Sequence, residues 1–305
     1  MSSGNVPDTA EYRTGPNARV SPPEPISSRV LVEFGSASHA GLVRPNNEDS
    51  FLIARVERSY QAIATNLPPG YGPDRFDEVA YGMVVADGLG GAGGGEVASR
   101  LAVVTFVNLV LHTPDLIMRV GNDETDRVID RIAERYRKVG EALAERAAED
   151  SALTRMATTL TLACSSGAEL FVGHVGDSRA YLLRGADLIR LTRDHTFAQA
   201  LADAGMISQQ EAERHRLRHV LTRALGPGGK DAEVEVIRLG LRDGDELLLC
   251  SDGLTGMVDE FAIPGLVSGR PAREACQALV DAALAAGGKD NVTVVLARYH
   301  FPPEF

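Results

Sequence analysis

Cysteine is scarce in this 305-residue chain: Cys164, Cys250 and Cys276 are too few and too scattered for a disulfide framework or a zinc-ligand spacing. Cys164 and Cys250 sit inside apolar, strand-like runs, where a reduced, buried thiol is the expected state. Long apolar runs are lacking as well, so no membrane-spanning helix is expected. The opening MSSGNVPDTA has neither the basic nor the apolar stretch of a secretory signal, which makes a cytoplasmic protein the expectation. Basic residues are in deficit, leaving a formal net charge of −11. A surface this acidic repels nucleic acid and anionic membranes, and neither is an expected partner. Apolar residues still make up 44% of the chain, a normal proportion for a globular core.

Residues 1–29 carry Pro22, Pro23 and Pro25 among small polar residues without apolar periodicity, and read as a disordered tail. Residues 30–301 show no Pro/Ser-rich linker and read as one domain. Strands are predicted near 30–35, 50–56, 79–86, 158–165, 169–175, 180–184, 233–239, 246–250 and 292–299, and a long loop over 57–78. Alternation over Thr159–Leu162 predicts a half-buried strand, whereas Leu247–Leu249 reads as buried on both faces. Helices are predicted near 95–112, 125–148, 197–204, 208–215 and 271–286. In the second, Val128, Ile129, Ile132, Tyr136, Val139 and Leu143 recur at helical spacing. Strands come in groups separated by helix pairs. That order favours an α+β fold of antiparallel sheets covered by helices over a doubly wound parallel sheet.

Three aspartates abut apolar strands. Asp87 ends Met83–Ala86 and precedes Gly88; Asp252 follows Leu247–Ser251 and precedes Gly253; Asp290 comes just before Val292–Val295. Each Asp-Gly alone is more often a simple turn. Three carboxylates converging beside an apolar interior would raise one another's pKa unless a cation neutralised them. Oxygen-only ligands of this kind suit Mg²⁺ or Mn²⁺ and not zinc. The two glycines are expected to let the backbone turn sharply beside the ion.

Several ordered motifs then resemble the type 2C metal-dependent protein phosphatases, most of all their bacterial members. They are Arg44–Ser50, Val85–Gly91, Gly95–Ser99, Thr158–Thr159, Val175–Tyr181, Ser251–Leu254 and Lys289–Thr293. The resemblance spans about residues 34–299 and implies a four-layer α-β-β-α sandwich, two antiparallel sheets flanked by helix pairs. It also implies two Mn²⁺ or Mg²⁺ ions, with Asp87 bridging them, Gly88 offering its carbonyl, and Asp252 and Asp290 completing one shell. Glu48 and Asp49 would hold metal-bound waters, Asp177 with Asp252 would form a third ion site, and Arg44 would clamp the substrate phosphate. The implied reaction is hydrolysis of phosphoserine or phosphothreonine in proteins by direct attack of a hydroxide held between the ions. The implied setting is signalling against eukaryotic-like serine/threonine kinases, with phosphoproteins as partners and a monomer favoured. Residues 197–224 resemble the family's flap.

Leu89 stands where many eukaryotic relatives have a histidine read as a general acid, so protonation of the leaving oxygen falls to another group. Ala92, Ala157 and Arg216 also depart from common bacterial choices, which bears on substrate handling more than on metal binding. Two rival readings remain. Gly88, Gly90 and Gly93 satisfy G-x-G-x-x-G, with Asp115 near the offset of a ribose-binding acid, as in a dinucleotide enzyme. A non-catalytic relative that only binds phosphoproteins is the other. Of the histidines, His195 matches a family segment at the start of the flap, while His174 and His219 read as packed or hydrogen-bonded.

Overall fold

The computed structural model describes residues 26–68, 71, 73–90, 93–112, 125–228 and 233–303. Most of the expected tail, together with Ala92 and Asp115, lies outside them. One sheet runs β1 (Leu31–His39), β11 (Val292–His300), β10 (Glu246–Cys250), β7 (Arg179–Arg184), β8 (Asp187–Arg190). The other runs β2 (Asp49–Gln61), β3 (Arg75–Leu89), β5 (Leu160–Ser166), β6 (Glu169–Val175), β9 (Glu235–Gly240), with β4 (Ala157–Thr158) pairing the end of β3. All these pairings are antiparallel.

The sheets stack on a shared apolar layer that includes Val85, Leu170, Val172, Leu182, Leu247, Leu249, Val295 and Tyr299. Helices α1 (Gly94–His112) and α2 (Thr125–Glu149) cover the outer face of the β3–β5–β6 sheet. The outer face of the other is covered by α5 (Asp252–Thr255), α6 (Ile263–Val267) and α7 (Ala272–Ala285). The short α3 (Phe197–Asp203) and α4 (Gln209–Arg214) form an excursion between β8 and β9. This is the expected four-layer sandwich. The stripe on α2 is buried at Val128, Ile132, Tyr136, Val139 and Leu143, and Ala147 extends it by another turn.

Several expectations need correction. The expected 57–78 loop is strand at both ends: β2 continues to Gln61 and β3 begins at Arg75, leaving only 62–74 as the connection. This end of the hairpin has little core to face, so it shows no apolar alternation. Cross-strand pairs hold it instead, including Arg58 with Glu78 at 2.7 Å and Ser59 Oγ donating to Asp77 at 2.7 Å. Residues Ile26–Arg29, assigned to the tail, make a 3₁₀ turn whose Ser27 is buried and accepts a hydrogen bond from the Val79 amide. Thr159 and Thr161 are fully buried and not half-exposed, because their hydroxyls find partners inside, Ser178 Oγ and His174 Nδ1. Helix α1 is long and apolar enough to cross a membrane by length and composition, contrary to expectation. Its Ala98, Ala102, Val103 and Phe106 are buried in the core beneath it. The dinucleotide reading fails on topology: among the described residues β3 has only antiparallel partners and α2 is the next element after α1, so they form no βαβ unit.

Candidate metal centre

The centre lies at one edge of the sandwich, and both sheets contribute. Asp87 sits in β3, opposite Asp49 in the β2–β3 register. Asp252 follows β10 and opens α5, while Asp290 precedes β11, the antiparallel neighbour of β10. Asp177 lies in the turn between β6 and β7. Carboxylate oxygens of Asp87, Asp177 and Asp252 fall within 4.8 Å of one another. Asp290 stands beside this group with a different partner: Arg44 Nε and Nη2 donate to its two oxygens at 2.9 and 2.7 Å. The fork expected to meet a phosphate thus engages a carboxylate of the centre.

Backbone packing sets this geometry. Gly88 and Gly253 have ordinary φ angles, so neither serves the sharp turn expected of it. They allow close approach instead. A Cβ on Gly253 would lie 1.9 Å from the Asn291 carbonyl oxygen, and one on Gly88 would lie 2.1 Å from that of Gly95. Thr159 fixes Asp87 from below: the Asp87 amide donates to its Oγ1 at 2.9 Å, and Thr158 Oγ1 donates to the Asp87 carbonyl at 2.9 Å.

The 40–49 segment is tied down by Asn291. Its Nδ2 donates to the carbonyls of Ala40 and Asn46 at 2.9 and 2.8 Å, and its Oδ1 accepts from the Glu48 amide at 2.8 Å. Sequence reasoning quoted Asn291 within a motif without giving it this role. An asparagine directly after Asp290, ahead of the apolar run Val292–Val295, was the available signal.

The electrostatics are those of crowded acids. Burial, then repulsion from Asp49, Asp252, Asp177 and Asp290, pushes the Asp87 carboxyl well above the usual range. Burial, then Asp252, does the same to Asp177. Asp49 is pushed up to about 7 by burial, although hydrogen bonds from Thr293 and Ser251 oppose the rise. Burial also raises Glu48. Ser251 Oγ donates to Asp49 Oδ2 at 2.7 Å, while the buried Oδ1 has no hydrogen-bond partner among the described residues. Convergent oxygen donors, self-repelling carboxylates and an unpartnered buried oxygen fit a hard divalent cation.

A cleft of about 870 Å³ opens from Asp177 and Asp252 and runs between the α3–α4 excursion and the segment at Asp259–Phe261. Thr196 caps α3, and a Ser208–Glu211 capping box starts α4. His219, at the end of this excursion, places Nδ1 3.3 Å from Asp252 Oδ2. That contact was not foreseen, since only the tertiary fold brings the two together.

A family model described as protein phosphatase 2C matches residues 74–293. The chain belongs to the protein phosphatase 2C family. It is 34% identical over 269 residues to the serine/threonine protein phosphatase PstP of Mycobacterium tuberculosis, covering 88% of this chain and 45% of that protein. The chain thus spans about half the length of this relative. The serine/threonine phosphatase stp of Listeria monocytogenes is 34% identical over 217 residues, covering 71% of this chain and 83% of that one. A crystal structure of the PstP catalytic domain in complex with two manganese ions aligns with a TM-score of 0.68 at 32% identity. It covers 89% of this chain and 99% of that one.

Proposed function

We propose that this protein is a metal-dependent protein serine/threonine phosphatase, hydrolysing phosphoserine and phosphothreonine in proteins. The observation that carries the reading is the convergence of Asp87, Asp177 and Asp252 at the mouth of an open cleft. Membership of a family whose similar members are named serine/threonine phosphatases supports it. In this reading Asp87 and the Gly88 carbonyl would help hold two Mn²⁺ or Mg²⁺ ions. Asp252 and Asp290 would hold one of them as well, and Asp177 with Asp252 would hold a third.

When bound, such ions lower the pKa of water enough to supply hydroxide at neutral pH and offset phosphoryl charge. Glu48 and Asp49 would orient water around the centre; Asp49 has one oxygen fixed by Ser251, and the other is buried without a hydrogen-bond partner among the described residues. Arg44, more than half exposed at the rim, exchanges Asp290 for the phosphoryl oxygens of the substrate. No cysteine serves as nucleophile: burial pushes the Cys250 and Cys276 thiols up to about 12 and Cys164 up to about 11. Phosphoproteins are the partners of this reading, a eukaryotic-like kinase the enzyme it opposes, and the cytoplasm its place.

The test is release of phosphate from a phosphothreonine peptide by metal-stripped protein, titrated with Mn²⁺ and then Mg²⁺. Activity that appears with metal and is absent in Asp252→Ala supports the reading. Metal binding without turnover would instead support the reading as a non-catalytic, phosphoprotein-binding relative.

A further inference from the structure

Asp177 hangs from a turn held from two sides. On one side is Thr159, whose Oγ1 pairs with Ser178 Oγ at 2.8 Å while accepting from the Asp87 amide. On the other is His195. Its amide donates to the Gly176 carbonyl at 2.7 Å, and its Nδ1 accepts from the Gly176 amide at 3.1 Å. One residue therefore satisfies both backbone polar groups of the position preceding Asp177. Gly176 has φ +116°, and a Cβ there would lie 2.5 Å from Thr159 Cβ and Cγ2, so no side chain of its own can brace the turn.

The His195 ring is itself held. Accepting at Nδ1 leaves the proton on Nε2, 3.8 Å from Glu235 Oε2. Its face lies 4.9 Å, centroid to centroid, from the buried His174 ring. His174 is fixed in turn by the Thr161 hydroxyl at 2.9 Å and the Arg193 carbonyl at 3.1 Å. The His195 carbonyl accepts from the Thr222 amide at 2.8 Å, so this residue also roots the segment carrying α3 and α4.

We infer that His195 is a positioning residue for the metal centre: through Gly176 it sets where the Asp177 carboxylate stands relative to Asp252. The inference rests on the metal reading of Asp177. A lost acceptor leaves the buried Gly176 amide unpaired, and the turn must move to find another partner. The Asp177 oxygens then leave the cluster they form with Asp87 and Asp252.

The experiment is Mn²⁺ binding by calorimetry to the metal-stripped full chain and to Asp177→Ala, His195→Leu and His195→Asn. Asp177→Ala identifies the binding step that needs that carboxylate. His195→Leu is expected to weaken that step about tenfold or more and leave other steps within about threefold. His195→Asn, whose Oδ1 keeps an acceptor for the Gly176 amide, should return it to within about threefold of the parent. Three results overturn the inference: a His195→Leu isotherm like the parent's, equal weakening of every step, or no recovery in His195→Asn. Should His195→Leu not fold, His195→Ala, which also removes the acceptor, takes its place, and an isotherm like the parent's refutes the positioning role. A parent chain that binds no Mn²⁺ at all overturns the metal reading itself, a different outcome from normal binding that ignores His195.

Discussion

Asp252 is the residue on which most of the centre leans: it approaches Asp87, Asp177 and His219, and its charge acts on Asp49. Asp252→Ala should lower kcat on a phosphothreonine peptide by roughly 100-fold or more, because a carboxylate that would hold the ions offsetting phosphoryl charge is lost. Circular dichroism should stay unchanged, since removing one of several mutually repelling carboxylates relieves the metal-free fold. Arg44 works differently. Its fork is exposed and meets Asp290, so Arg44→Ala should raise KM about tenfold, the size of one lost charge-assisted contact, with a smaller effect on kcat. Steady-state kinetics on a single peptide separates the two effects. An unchanged KM would remove Arg44 from phosphate binding.

Among the elements, the close contact between the start of α5 and the β11 approach matters most to the site. Gly253→Ala would drive a methyl group into the Asn291 carbonyl, forcing apart the segments that carry Asp252 and Asp290. Activity should fall with Mn²⁺ affinity, and the midpoint of urea unfolding should drop by an amount equivalent to about 1–3 kcal/mol. A normal Mn²⁺ isotherm for that variant would show the contact to be unimportant. Far from the site, Leu143 is wholly buried in the seam between α2 and the sheet. Leu143→Ala should cost about 2–5 kcal/mol in urea unfolding while leaving KM alone.

For the molecule as a whole, the acids at the centre oppose folding when no cation is bound. The raised pKa values of Asp87 and Asp177, and Asp49 near 7, mean that the folded state holds protons the unfolded chain releases. Their effect is to reduce metal-free stability as pH rises through about 7. His174 and His195 act in the opposite direction at lower pH. Burial lowers them to about 3 and about 4, so their contribution is complete above the ordinary value of about 6.5 and is lost as pH falls through that range. Metal-stripped protein should therefore lose Tm as pH rises through about 7, with the two histidines opposing that loss until about pH 7.5, where the unfolded chain has released their protons. Saturating Mn²⁺, worth about 2.7 kcal/mol at one hundred times its Kd, should give its largest gain at the alkaline end. Differential scanning calorimetry with and without chelator reads both, and a Mn²⁺ gain independent of pH would refute the account.

Much of this was written locally. Apolar alternation, the 3.6-residue stripe on α2 and the Asp residues beside strands are properties of neighbouring residues, and by themselves they gave antiparallel sheets covered by helices and the acids Asp87, Asp252 and Asp290. The four layers, and Asp177 and Asp49 beside those acids, came from the resemblance of ordered motifs. What joins those acids is not local. Asp87 comes from one sheet and Asp252 with Asp290 from the other, so stacking of the sheets decides their distance. The same holds for Asn291 on the 40–49 segment, for His219 on Asp252 and for His195 on Gly176, partners whose separation in sequence carries no signal. The exposed end of the β2–β3 hairpin was hidden for a related reason: a strand with little core to face has no apolar period, and cross-strand pairing becomes visible only once the chain has folded.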